Sequence, residues 1–179
     1  MLTLDKIYHA AFVLKDVVRE TTLIPSPKIS VNNNVYLKTE NLQVTGSFKV
    51  RGAGYMISQL SEEEKARGVV ACSAGNHAQG VALAAQKYGI KATICLPDGA
   101  PISKVEATKS YGAEVVMVKG VYDDAYKKAL QLRDEMGYTF ISTGADVVAL
   151  TDSAAAPIAA IWTPATGLPP ELNSFTTPF

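Results

Sequence analysis

Residues 69–97, VVACSAGNHAQGVALAAQKYGIKATICLP, contain two short apolar segments with a longer segment between them. The apolar segments, 69–72 and 92–96, have the length and composition of buried β-strands. The segment 76–88 has helical composition and ends before Gly89, the residue type most often found just after a helix. Strands joined through a helix lie parallel in one sheet. This stretch therefore predicts a right-handed βαβ unit.

The same alternation continues towards the C-terminus. Segments 101–111 and 121–136 have helical composition, and each is followed by a glycine and then by an apolar segment, 113–118 and 138–141. Short apolar strands separated by helices need helices on both faces of the sheet to bury them. The sequence therefore predicts an α/β fold with a parallel sheet of four strands and helices on both faces.

The first half of the chain is less regular. Residues 4–20 carry apolar side chains at helical spacing and predict an amphipathic helix; these side chains are Ile7, Ala11, Leu14 and Val18. The segment 21–30 contains two prolines and is expected to break that helix, and 35–38 predicts a short strand. A second helix is expected over 47–60, and the polar stretch 61–68 is expected to connect it to the first buried strand.

The composition excludes several classes of function. Hydrophobic residues make up 47% of the 179 residues and charged residues 19%, as in a globular domain. Seventeen basic and seventeen acidic residues leave no net charge, so no nucleic-acid partner is expected. No apolar run has the length of a membrane span or the order of a signal peptide, so no membrane partner is expected either. Cys72 and Cys95 lie in apolar segments without metal-ligand spacing and predict reduced core cysteines of a cytoplasmic protein.

The composition changes near Ser142. Residues 143–179 contain none of the basic residues, only three of the acidic ones and five of the nine prolines. Such a shift marks a boundary. The segment 143–179 is therefore expected to be a divergent tail of irregular structure.

The first chemical motif is ENLQVTGSFKVRGA, residues 40–53. It predicts a turn followed by a helix whose first turn contains Lys49. The positive end of the helix dipole favours a neutral amine at that position, and a neutral amine is what a lysine needs to bond covalently to a carbonyl carbon. The alternative is an ordinary solvated surface lysine.

The second chemical motif is SAGNHAQG, residues 73–80, which follows a buried strand and opens a helix. Turns at the carboxyl ends of parallel strands are where open α/β sheets bind ligands. The exposed N–H groups of a helix start also suit an anion such as a carboxylate. The alternative is that Ser73 or Asn76 caps the helix and that His77 is an ordinary exposed residue.

Together the two motifs resemble those of the fold type II pyridoxal-phosphate enzymes, and among them the threonine/serine ammonia-lyases. The resemblance extends from about residue 5 to 141. It implies that residues 1–50 begin the large, cofactor-binding domain of that fold and that 51–142 form its small α/β domain. Cysteine synthases and serine racemases fit less well; the racemases usually have a second serine where this chain has Ala74.

The resemblance also implies the site and the reaction. Lys49 would hold pyridoxal 5'-phosphate covalently and act as the catalytic base, Phe48 would contact the pyridine ring, and Asn76 would bond to the 3′-oxygen. The substrate carboxylate would lie in one turn, formed by Ser73, Ala74, Gly75, Asn76 and His77. The small-molecule substrate would be L-threonine or L-serine, converted to 2-oxobutanoate or pyruvate and ammonia. This reaction belongs to amino-acid metabolism, including isoleucine biosynthesis.

The chain also departs from the family pattern. It contains no Gly-Gly pair, whereas the family binds the cofactor phosphate with a glycine-rich loop, and no motif of the family follows Ile141. A truncated or frameshifted form of the lyase is therefore expected, with homo-oligomers for full-length members. The alternative is a non-catalytic α/β domain of the same ancestry that binds small anions or a partner chain.

Overall fold

The computed structural model describes residues 3–30 and 32–142. They form two compact units, of which the smaller contains residues 22–39 and the larger contains the rest. The predicted irregular tail, 143–179, lies outside the described residues. In chain order the elements are α1 (Leu4–Val13), β1 (Leu23–Pro25), β2 (Tyr36–Lys38), a 3₁₀ turn (Glu40–Leu42), α2 (Lys49–Ser58), α3 (Glu62–Arg67), β3 (Val69–Cys72), α4 (Asn76–Lys87), β4 (Ala92–Pro97), α5 (Ile102–Ser110), β5 (Glu114–Val118), α6 (Tyr122–Met136) and β6 (Thr139–Phe140).

The larger unit is built on a parallel sheet with the strand order β5-β4-β3-β6. Cys72 of β3 lies opposite Cys95 of β4, and Pro97 at the end of β4 lies opposite Val118 of β5. All four strands run in one direction, so the loops that follow them emerge at the same edge. The predicted four-stranded parallel sheet is confirmed.

Helices cover both faces of this sheet, as predicted. Side chains alternate along each strand, so Ile94 and Leu96 pack on the side of α4, whereas Cys95 packs on the side of α6. On the α4 side, α2 packs against α4 as a further layer. Cys72 and Cys95 are free and buried, and burial raises the pKa of each thiol to about 11.

Two helix predictions need correction. The helix predicted over 4–20 ends at Val13, because the chain then turns and the amide of Val17 donates to the carbonyl of Leu14 at 2.9 Å. The polar stretch 61–68 contains helix α3, which begins with a capping box. There the amide of Ser61 donates to the Glu64 carboxylate, and the amide of Glu64 donates to the Ser61 hydroxyl.

The smaller unit is a two-stranded antiparallel sheet. Leu23 pairs with Lys38, and Pro25 pairs with Tyr36. The predicted strand at 35–38 is therefore confirmed, but the segment with two prolines contains its partner strand. Pro25 is tolerated because it is the last residue of β1, where the ladder ends. Within residues 3–30 and 32–142, no helix combines the length and the apolar character needed to cross a bilayer.

Candidate active site

Lys49 is the first residue of α2, in the first helical turn as predicted. The turn before it depends on Gly46, whose φ of +69° favours glycine and whose amide donates to the carbonyl of Gln43 at 2.8 Å. Lys49 is half-buried, and its Nζ lies 4.8 Å from the centre of the Phe48 ring. The amine is therefore accessible but held against an aromatic face.

The backbone of Lys49 packs directly on α4. A Cβ atom at Gly80 would lie 3.0 Å from both the carbonyl carbon and the carbonyl oxygen of Lys49, so any other residue would have to push the two backbones apart by a few tenths of an ångström. Gly80 follows Asn76 by four residues, which is a helical rise of about 6 Å. The structure therefore brings Lys49 and the second motif together.

The turn before α4 is held by a hydrogen bond to the neighbouring strand β4 and by the hydroxyl of Ser73. The amide of Ser73 donates to the carbonyl of Cys95 at 3.2 Å, and the Ser73 hydroxyl accepts from the amide of Gly75 at 3.2 Å. Gly75 is the N-cap residue, and no side chain caps the helix. The alternative in which Ser73 or Asn76 caps α4 is therefore wrong, and Ser73, Ala74 and Gly75 remain half-exposed beside the helix start.

The side chain of Asn76 is oriented by a neighbour from α5. Lys104 Nζ donates to Asn76 Oδ1 at 2.8 Å. Because an ammonium group only donates, this bond uses the oxygen of the amide and does not use its Nδ2 donor. No signal in the sequence indicated Lys104, although its helix follows β4 at the same sheet edge.

His77 is buried, which makes the alternative of an exposed histidine wrong. Its side chain is 5% exposed, and its Nε2 lies 3.0 Å from the carbonyl oxygen of Ile141, just after β6. Burial lowers the pKa of His77; the bond to Ile141 raises it, and the charge of Lys49 lowers it further. The imidazole is therefore neutral at pH 7 and donates from Nε2.

A buried ion pair lies inside the first motif. Glu40 is 2% exposed, and its Oε2 and Oε1 accept from Arg51 Nε at 2.9 Å and Arg51 Nη2 at 2.8 Å. The hydroxyl of Thr21 also donates to the Glu40 carboxylate. Burial raises the pKa of Glu40, but the bonds from Arg51 and Thr21 and the charge of Arg51 outweigh that effect and hold it below its usual value. The first motif contains both Glu40 and Arg51, but its sequence alone predicts no function for either side chain.

Comparison with known proteins places these features in a family. The profile of the family described as "Pyridoxal-phosphate dependent enzyme" matches residues 14–164, so the similarity extends past Ile141, where the motifs end. The L-threonine ammonia-lyase of Thermotoga maritima is 52% identical over 143 residues, which are 79% of this chain and 36% of that protein. The catabolic L-threonine dehydratase TdcB of Staphylococcus aureus N315 is 46% identical over 144 residues, 79% of this chain and 42% of that protein.

Solved structures show the same fold. Maize serine racemase superposes with a TM-score of 0.77 at 31% identity, over 86% of this chain and 48% of the racemase. The processed form of threonine deaminase isoform 2 from Solanum lycopersicum superposes with a TM-score of 0.73 at 35% identity, over 86% of this chain and 44% of the deaminase. The chain therefore spans less than half the length of each of these four relatives.

Proposed function

The chain belongs to the pyridoxal-phosphate dependent enzyme family, and from this premise we propose that it carries the lysine side of the active site of a threonine/serine ammonia-lyase. One observation carries the proposal: the backbone of Lys49 packs on Gly80, one helical turn from the half-exposed turn that precedes α4. The names of the two bacterial relatives, at 52% and 46% identity, support L-threonine as the substrate and 2-oxobutanoate and ammonia as the products.

The residues present fit the pyridine ring of pyridoxal 5'-phosphate, with its aldehyde carbon and 3′-oxygen. Lys49 offers a half-buried amine for the covalent link, Phe48 an aromatic face beside it, and Asn76 an Nδ2 donor suited to the 3′-oxygen. The cofactor, when bound, supplies a ring that stabilises the negative charge left on the substrate after loss of its Cα proton. The phosphate end has no Gly-Gly pair to hold it among the 179 residues.

The chain's own residues divide the remaining work. Lys49 would hold the cofactor covalently at rest, and its amine, once the substrate amine has displaced it from that link, would be free to take the Cα proton. The first N–H groups of α4, which have no partner within the helix, hold the substrate carboxylate. The N–H groups of Ser73 and Gly75 are already bonded within the protein and only shape the turn. His77 remains neutral and hydrogen-bonded to the carbonyl of Ile141, so its side chain adds no charge beside the substrate carboxylate.

Covalent trapping tests the proposal directly. The chain is incubated with pyridoxal 5'-phosphate and reduced with borohydride, and peptide mass spectrometry then measures the label on each lysine. We expect Lys49 to carry the largest share and Lys49→Ala to lose it. Lys127→Ala, which removes an exposed lysine of α6, is the matched control and should leave the labelling of Lys49 unchanged. Equal labelling of Lys49 and the exposed lysines contradicts the proposal.

The half-exposed, uncapped start of α4 supports a second proposal, a non-catalytic α/β domain that binds small anions or a partner chain. This proposal predicts no preference for Lys49 in the trapping experiment. It also predicts that inorganic phosphate or acetate shifts the amide resonances of the turn before α4 in an NMR titration. Selective trapping at Lys49 contradicts it.

A further inference from the structure

We propose that Arg51 is a positioning residue for Lys49 and that Glu40 holds Arg51 in the required orientation. The inference rests on the proposed function of Lys49 as the residue that binds the cofactor. Arg51 follows Lys49 by two residues in α2. An arginine so close to a reactive lysine could equally bind the substrate carboxylate, so its contacts decide between the two roles.

Glu40 and Arg51 make a two-point contact. Both carboxylate oxygens accept from the same guanidinium, at 2.9 Å from Nε and 2.8 Å from Nη2. The side chain of Glu40 is 1% exposed and that of Arg51 19% exposed, so water competes little for this contact. A bidentate pair fixes the orientation of both groups as well as their separation. Arg51 is therefore held in one direction relative to Glu40.

The residues around Glu40 form a platform, which consists of residues 19–21 and 40–43. The amide group of Gln43 accepts from the backbone N–H of Arg19 at 2.6 Å and donates to the carbonyl of Arg19 at 2.7 Å. Arg51 Nη2 also donates to this carbonyl, at 3.4 Å. Arg51 is thus bonded to both segments of the platform, which are bonded to each other.

Attachment to the platform sets the rotation of α2. Successive helical residues are about 100° apart, so Arg51 points about 200° away from Lys49 around the axis. The platform holds the Arg51 side of the helix, and Gly80 of α4 lies against the backbone of Lys49. The first turn of α2 can therefore neither rotate nor shift without breaking the ion pair or separating the two helices.

The same contacts argue against a substrate-binding role for Arg51. Its Nε and Nη2 donate to a buried carboxylate that compensates its charge. An arginine that recognises a substrate carboxylate presents this fork to the ligand. Arg51 instead uses the fork inside the protein, which leaves recognition of the substrate to the turn before α4.

Site-resolved trapping with pyridoxal 5'-phosphate in the full 179-residue chain tests the inference. The amine condenses with the aldehyde and loses water, and borohydride reduces the C=N bond to a stable secondary amine. Arg51→Lys keeps the positive charge but cannot make the two-point contact. We expect the ratio of label on Lys49 to label on Lys127 to fall by about tenfold or more, because misplacing a reactive group by about 1 Å can cost on the order of 100-fold in rate. Glu40→Gln should lower the ratio in the same direction.

The control is Arg133→Lys, the same substitution in an exposed pair with Asp134, which should leave the ratio unchanged. Denaturation curves ensure that all variants are compared at the same folded fraction. If the wild-type chain labels Lys49 selectively and Arg51→Lys and Glu40→Gln label it to the same extent, Arg51 is merely structural. In that case the inference fails and the proposed function stands. If the wild-type chain shows no selectivity, the proposed function fails and the inference fails with it. Should Arg51→Lys not fold, Glu40→Gln decides by the same ratio.

Discussion

Thr93 and Thr108 are buried threonines with opposite hydrogen bonding. Thr93 Oγ1 has no partner in the described part of the chain, whereas Thr108 Oγ1 donates to the carbonyl of Lys104 at 2.8 Å. We expect Thr93→Val to raise the free energy of unfolding by about 1 kcal/mol, because it removes an unsatisfied hydroxyl at nearly constant shape. Thr108→Val should lower it by about 1 kcal/mol. Urea denaturation measures both, and a loss for Thr93→Val contradicts the assignment.

Glu40 makes the stability of the larger unit depend on acidity. Its pKa in the folded chain lies below 4.5, its ordinary value, because of Arg51 and Thr21. Above pH 4.5 the carboxylate is ionised in both states and its stabilising contribution is complete. As the pH falls below that value, the unfolded chain takes up the proton first and the contribution is lost.

We therefore expect Glu40→Gln to reduce the loss of stability between about pH 5 and the folded pKa, at the expense of lower stability at neutral pH. Urea denaturation at a series of pH values measures both effects. Glu63→Gln, which removes the same charge from an exposed position of α3, is the control. An identical pH profile for Glu40→Gln and the wild-type chain contradicts the expectation.

The sequence indicated candidate site residues to different extents. Lys49 could be proposed because a short motif surrounds it, and Asn76 for the same reason. Glu40 and Arg51 lie in the same motif, but residues 43–48 separate the 3₁₀ turn of Glu40 from the helix of Arg51, so no single helix or strand carries both and no periodic pattern predicts their contact. Lys104 lies in α5, whose start follows β4. It contacts Asn76 because the loop after β4 and the turn after β3 emerge at the same edge of the sheet. Contacts of this kind depend on the tertiary fold and have no local signal.

Among the secondary-structure elements, α2 and α4 pack so closely that a single added methyl group should lower the stability of the protein. Gly80→Ala places a methyl group 3.0 Å from backbone atoms of Lys49, which cannot move aside like a side chain. We expect the free energy of unfolding to fall by about 1–3 kcal/mol, although alanine gains about 1 kcal/mol of helix propensity over glycine. Denaturation measures the net change.

The control for that change is Gly54→Ala in α2. Its methyl group would lie 2.8 Å from Leu14 Cδ2 and 3.3 Å from Val17 Cγ1, which are ends of side chains. These atoms can shift, and the gain in helix propensity is the same, so the loss of stability should be smaller than for Gly80→Ala. Equal or greater stability of Gly80→Ala relative to the wild-type chain contradicts the close packing of the two helices.

The elements that the sequence predicted well are those whose pattern repeats. The strands from β3 onwards were expected within one or two residues of their observed ends, because each is a short apolar segment that closely follows a glycine. The strand Leu23–Pro25 was missed because the two prolines of the segment 21–30, Pro25 and Pro27, argue against a strand there. Helix α3 was missed although Ser61 and Glu64 form the spacing of a capping box.

At the scale of the whole molecule, the two motifs lie on one side of the sheet. The predicted fold explains this arrangement in part, because a turn after β3 has to lie at the carboxyl edge. It does not explain why α2 packs there, since nothing in residues 47–60 specifies α4 as its neighbour. That packing follows from Gly80 and the platform at Glu40, which only the structure shows.

We expect this chain to bind pyridoxal 5'-phosphate covalently at Lys49 but not to catalyse sustained turnover of L-threonine. The covalent link needs only the amine of Lys49 and an aldehyde, and both are available. Turnover also needs the ring held in one orientation, which takes a phosphate gripped by several N–H groups. No Gly-Gly pair occurs in the sequence to form such a loop. With added pyridoxal 5'-phosphate and L-threonine, we therefore expect selective labelling of Lys49 without sustained release of 2-oxobutanoate. Sustained release that is lost in Lys49→Ala would show that other residues of the chain bind the phosphate.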